Sequence, residues 1–241
     1  MAGKYESEVL NVFQSDRDNK LASYFSRHGG KNKTAIDFGC GIGNGFPYLA
    51  PLFKEVLALD ISTNCMNVAR EREYTNIRFE QMDLTKPDLN LPLVDFILCS
   101  NVALFPEVEK NYKIINNVKG ALKARGSALF IVPSLESMLF YAWRLIDWYR
   151  REGITADEID DSELNYYDVN KRDLLQGIVK IDGHPTKHYT NSELQVIFAD
   201  AGLKVTTIDR LEYDWDTEFK SPPKWMKDPY PWDWLVELSM E

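Results

Sequence analysis

Ala35–Ile36–Asp37–Phe38–Gly39–Cys40–Gly41–Ile42–Gly43–Asn44–Gly45 places four of the chain's 13 glycines within seven residues, directly after a short apolar run. A strand that runs into such a loop and then into a helix lets backbone N–H groups approach a ligand without Cβ clashes. A merely flexible turn would not account for the acids that follow. Asp60 closes a second apolar run, Leu57–Ala58–Leu59–Asp60, about 20 residues past the glycines, where doubly wound sheets place a carboxylate on ribose hydroxyls. Asp83, in Gln81–Met82–Asp83–Leu84, follows a third run, where a carboxylate can accept from an adenine amino group. A nicotinamide dinucleotide site would need its third glycine at position 44, which is Asn44, and gives no reason for Asp83.

Outward from that loop, residues 34–133 alternate β-rich runs with helical patterns. Thr34–Phe38, Val56–Leu59, Ile77–Phe79, Val94–Cys99 and Ala128–Val132 read as buried strands. Ser62–Glu73 and Glu107–Leu122 read as helices, the second with Val108, Tyr112, Ile115 and Leu122 on one face, and Gly120 and Gly126 bracket the turn that follows it. Thr190–Asn191–Ser192–Glu193 has the capping-box pattern of a helix start, Lys204–Leu211 reads as a sixth strand, and Trp232–Met240 as a seventh that returns antiparallel at a sheet edge. The expected fold is α/β: a doubly wound, seven-stranded, mostly parallel sheet with an antiparallel last strand and helices on both faces. Residues 134–188 break the rhythm. Their apolar helical stripe and aromatics, including Tyr141, Tyr166 and Tyr167, predict a cap inserted into a single domain, after N-terminal helices over 1–33 and a cofactor-binding part over 34–133, with 189–241 completing the sheet.

These motifs together resemble the class I, Rossmann-like S-adenosylmethionine-dependent methyltransferases. Asp37, Gly39, Gly41 and Gly43 match that family's (D/E)xGxGxG, and the acid-terminated second and third strands match Asp60 and Asp83. Val94–Asp95–Phe96–Ile97–Leu98–Cys99–Ser100–Asn101 is similar to its fourth strand, and Tyr189–Thr190–Asn191–Ser192–Glu193–Leu194 to its last helix. The resemblance covers roughly 34–133 and 189–240. It implies S-adenosyl-L-methionine as cofactor, held after the first strand by Asp37, Gly39, Cys40 and Gly41. After the second it implies Asp60 and Ile61, after the third Asp83 and Leu84, and after the fourth Ser100.

Composition narrows the acceptor. The net charge is −9; the residues through Pro133 carry +1 and the remainder −10, and all six tryptophans lie in that acidic remainder. An acidic surface repels phosphate backbones, and neither an (N/D)PP(Y/F) sequence nor a Pro–Cys pair is present, so nucleic acid is not the expected partner. The expectation is a small-molecule methyl acceptor received by Asn101–Pro106, the aromatic cap and an N-terminal helix with Tyr5 and Phe13. A protein acceptor and a non-catalytic cofactor-binding scaffold are the alternatives. In-line methyl transfer does not demand a base; His188, beside the family-like Tyr189–Thr190, and Tyr141 are the candidates should one be used. Cys40, Cys65 and Cys99 form no CxxC pair, which predicts a cytoplasmic setting, no zinc site and no disulfide framework. No apolar run reaches the length of a membrane span.

Overall fold

The computed structural model describes residues 11–160, 163, 170–181 and 183–240. Tyr5, Tyr166 and Tyr167 lie outside the described residues. A one-turn helix α1 (Val12–Ser15) and helix α2 (Lys20–His28) lead into strand β1 (Gly30–Phe38). Alternation then follows: α3 (Phe46–Leu52), β2 (Phe53–Asp60), α4 (Thr63–Arg70), β3 (Ile77–Gln81), β4 (Val94–Ser100), α5 (Val108–Gly120) and β5 (Leu122–Pro133). After β5 come α6 (Leu135–Arg151), α7 (Lys171–Leu175) and a small hairpin, β6 (Ile178–Ile181) with β7 (His184–Lys187). Helix α8 (Asn191–Asp200), β8 (Leu203–Glu212) and β9 (Trp232–Met240) close the order.

The main sheet runs β3-β2-β1-β4-β5-β9-β8, with β9 antiparallel to both neighbours and the rest parallel. The central strands are buried on both faces, which is why they read as unbroken apolar runs. Successive side chains still alternate between two cores. Ile36, Phe38, Ile97, Cys99 and Phe130 pack beneath α5 and α8, whereas Ala35, Phe96, Leu98, Leu129 and Ile131 meet α2, α3 and α4.

Several boundaries differ from the sequence expectation, each for a physical reason. Leu122 is not on the second helix; it starts β5, opposite Val94, and the helix buries Asn111, Ile114, Ile115 and Val118 while Tyr112 stays exposed. Gly126 is not in a turn but inside β5, where the ladder with β4 slips between Val94 and Phe96. β1 begins at Gly30 because its first residues pair irregularly with β2 before Thr34. β9 is antiparallel, as expected, yet it lies inside the sheet; Trp234, Leu235, Val236 and Leu238 need cover on both faces, and the edge falls to β8, which carries solvent-facing Lys204 and Arg210.

The cap is tied where the chain leaves and rejoins the sheet. Tyr189 N–H donates to Pro133 O (2.9 Å), and Tyr189 O accepts from Leu135 N–H (3.0 Å) and Trp234 Nε1–H (2.9 Å), so the chain leaves the sheet and returns to it at the same place. Ser134 caps α6 through Ser137 N–H (3.0 Å), and Ser137 Oγ accepts from Trp232 N–H (2.8 Å). Tyr141 packs with Leu135, Met138, Val179, Trp215 and Met226 in a separate small core.

Asn117 on α5 fixes the β3–β4 connection, since its Nδ2 donates to Leu84 O (3.0 Å) and Lys86 O (2.7 Å). Asn117→Ala leaves both carbonyls without that donor, which costs about 2 kcal/mol. Urea denaturation measures it, and an unchanged midpoint would contradict the assigned role.

Candidate functional site: the glycine-loop cleft

β1 delivers Asp37 and then Gly39, Gly41 and Gly43, all with positive φ (81°, 52° and 82°). A Cβ on Gly39 would sit 2.4 Å from Val102 Cγ2, and one on Gly43 2.5 Å from Phe46 Cε2, so both turn and packing demand glycine. The loop is held by the end of β2. Gly39 and Cys40 N–H both donate to Leu59 O (2.8 Å each). Asp60 Oδ2 accepts from Gly41 N–H (2.8 Å) and Oδ1 from Ser62 N–H (2.7 Å). Arg72 pins the far side, donating from Nε to Ile42 O (2.8 Å) and from Nη2 to Asn44 Oδ1 (2.9 Å).

A cleft of about 390 Å³ opens above this loop. Asp37, Gly39, Cys40, Gly41 and Ser100 line it together; Asp60 stands behind it as the anchor of Gly41. Ile61 is 62% exposed at the end of β2, and Gln81 Nε2 donates to its carbonyl (3.0 Å). Asp83 accepts from Thr85 N–H (3.0 Å) and Oγ1–H (2.6 Å), bonds that hold its carboxyl below the usual range, with Lys86 adding to the effect. Leu84 is packed in the core, and its carbonyl accepts from Asn117 Nδ2–H. Ile61, Asp83 and Leu84 do not line the cleft.

The two base candidates stand apart from it. His188 is buried, with Nδ1 3.0 Å from Thr186 O, and its burial lowers its pKa to about 4. Tyr141 belongs to the core of the cap. No described residue of 134–188 lines the cleft, contrary to the expected aromatic acceptor face. The N-terminal turn, Asn11–Gln14, lines the cleft together with the glycines.

Two buried oxygens beside the cleft have no hydrogen-bond partner among the described residues: Asp37 Oδ2 and Asn101 Oδ1. Desolvation, helped by the charge of Asp60, raises the Asp37 carboxyl from 3.8 to about 7. Asn101 holds a left-handed backbone (φ 54°) at the turn out of β4. Burial pushes the Cys40 thiol up, so it sits as a small neutral group in the loop. Sequence reasoning did not find Arg72 or the wall at Asn11 and Gln14, because their contacts span long stretches of chain and leave no local pattern. Among the described residues no cluster of His, Cys, Asp and Glu could hold a metal, and no helix is long and apolar enough to cross a membrane.

A sheet in this order, with a glycine loop at the end of its first strand and acids after the next two, defines the class I methyltransferase fold. Residues 35–126 match the model of a family described as the methyltransferase domain. Solved structures agree in fold. An S-adenosylmethionine-dependent methyltransferase from Mesorhizobium loti is 18% identical, over 94% of this chain and 99% of that one, with a TM-score of 0.63. One from Aquifex aeolicus is 17% identical, over 100% and 99%, at 0.59. The N-methyltransferase NodS from Bradyrhizobium japonicum, solved with S-adenosyl-L-homocysteine, is 13% identical, over 92% and 84%, at 0.56. No curated protein matches the chain. Over residues 35–126 the chain is similar to the methyltransferase domain, and its fold is that of the class I, S-adenosylmethionine-dependent methyltransferases.

Gly39→Ala combines a disfavoured φ with the 2.4 Å clash and is expected to cost about 2 kcal/mol or more. Adding Val102→Ala relieves the clash alone, so the double variant recovers part of the loss in chemical denaturation. For Asp37 the folded chain keeps a proton that the unfolded chain releases near pH 3.8. The stability contributed by that proton is full below pH 3.8 and is lost as pH rises to about 7. Asp37→Asn has no such proton, so its stability relative to wild type climbs across that window; parallel pH profiles would sink the assignment.

Proposed function

We propose that this chain moves a methyl group from S-adenosylmethionine to a small-molecule acceptor, with Gly39–Gly41 holding the methionine end, Asp60 the ribose and Asp83 with Ile61 the adenine. The observation that carries the reading is the pair of partnerless buried acceptors, Asp37 Oδ2 and Asn101 Oδ1, beside a loop stripped of Cβ atoms. Acceptors without donors suit a ligand that brings N–H groups, and the methionine ammonium brings three.

When bound, the cofactor supplies an electrophilic sulfonium methyl. The chain's contribution is placement. Asp60 fixes Gly41 and Ser62 through its two oxygens and still offers lone pairs to hydroxyl groups. The exposed Ile61 offers an apolar face at the end of β2. Ser100 and the N-terminal turn line the cleft beside the glycines, which supports giving them the placement of the acceptor against the methyl. His188 has no path to that place and is given no role in proton transfer.

A small acceptor is supported by the acidic chain and by the absence of (N/D)PP(Y/F) after β4. Cys40, Cys65 and Cys99 are all free and buried, which favours a reducing, cytoplasmic setting.

Calorimetry with S-adenosylmethionine is expected to give micromolar binding. Asp60→Ala should weaken it by on the order of tenfold to a hundredfold, because both the ribose contact and the loop anchor are lost. Unaltered affinity would remove Asp60 from the site. Labelled methyl transfer into a metabolite extract tests the acceptor class: incorporation only into protein would replace the small molecule by a protein, and binding without incorporation into either would leave a scaffold.

A further inference from the structure

We infer that the acceptor is chosen by the N-terminal turn through Phe13 and Gln14, not by the aromatic cap, and that it is a small uncharged molecule with an apolar ring and one hydroxyl or amino group. The inference rests on the methyl-transfer reading and deepens it.

The cleft has two unlike walls. One is the glycine loop with the end of β4, whose backbone and orphan oxygens suit the cofactor. The other is Asn11, Val12, Phe13 and Gln14, and an acceptor approaching the methyl has to pass them. This second wall is fixed in place. Val12 is 2% exposed and anchors it in the core below β1 and β4. The Phe13 ring lies 5.7 Å from that of Tyr48, which in turn stacks on Phe25 at 5.0 Å. Just downstream, Asp16 accepts from Lys20 and Leu21 N–H, and Arg17 lies 3.9 Å over the Tyr230 ring while donating to Asp214 (3.1 Å). A wall so tied can select by shape.

Its chemistry is neutral. Asn11 Oδ1 is occupied by Phe13 N–H (3.2 Å), which leaves its amide N–H groups; Gln14 is exposed and offers both a donor and an acceptor. Between them Phe13 supplies a ring for an apolar body. The cation beside the cleft, Arg72, already donates through Nε and Nη2 to the glycine loop. Arg72 keeps its charge on the glycine side, but among the described residues the Asn11–Gln14 wall itself carries no charged side chain, so an anionic acceptor such as a phosphate ester meets no counter-charge on it. The cap tryptophan with the greatest exposure, Trp143 at 53%, does not line the cleft.

Saturation-transfer NMR on the protein loaded with S-adenosylhomocysteine tests this with phenol, aniline and phenyl phosphate as probes. Phenol and aniline should bind and phenyl phosphate should not. Phe13→Ala and Gln14→Glu should each weaken phenol binding about fivefold or more, while Trp143→Ala leaves it unchanged. Gln14 is exposed, so its variant keeps the test valid should Phe13→Ala disturb folding. Phenol binding that ignores both N-terminal variants, stronger binding of phenyl phosphate, or no probe binding at all would overturn the inference. Loss of S-adenosylhomocysteine binding in the wild type would instead overturn the methyl-transfer reading beneath it.

Discussion

The carbonyl of Leu59 receives two N–H groups from the glycine loop, and the carboxylate of the next residue, Asp60, receives a third. Through these bonds one strand end shapes the turn that follows its neighbour. Three residues with positive φ cannot hold their course without partners, and β2 supplies them in register because β1 and β2 pair from Thr34 to Phe38. The cleft, the buried Asp37 and the approach of Val102 all follow from that tie. It also links the role proposed for Asp60 to its observed one: the oxygens proposed to receive a ribose are the ones that set the loop.

The other end of the site depends on the core. The orphan oxygens at Asp37 and Asn101 persist because Leu98 and Phe96 hold β4 in a packed layer that cannot relax toward them. Buried polar atoms without partners cost free energy, and a fold keeps such a cost where a ligand repays it.

How much could be seen without coordinates varied with the reach of the interactions. The glycine loop, the acids at the strand ends and the parallel strands were legible, because each is written in adjacent residues with a period of two or a fixed spacing. The interior place of β9 was not, since pairing with β5 joins Ser127 to Ser239 across more than a hundred residues. Leu122 fits the helical spacing of α5 by sequence, yet its pairing with Val94 puts it in β5. The aromatics of 134–188 fit a binding face by sequence; in the structure Tyr141, with Phe140 and Trp148 against it, instead packs with Trp215 from outside the segment into a core of its own, and Asp147 gathers Arg144, Arg150 and Arg151 around one buried carboxylate. Composition could not tell a ring that waits for a ligand from one that fills a small core.

The strand order has a consequence for how the chain is made. One edge of β5 stays open until residues 232–240 leave the ribosome, long after β1 to β4 are available to pair. During that interval Leu129, Phe130 and Ile131 present an unpaired, strongly apolar strand beside a half-built sheet. The nascent protein therefore passes through a stage at which it invites strand addition from other chains, and the closing step is a long-range, intrinsically slow one. Tying the chain at Pro133 and Tyr189 keeps the 134–188 insertion from lengthening the loop that β9 has to close.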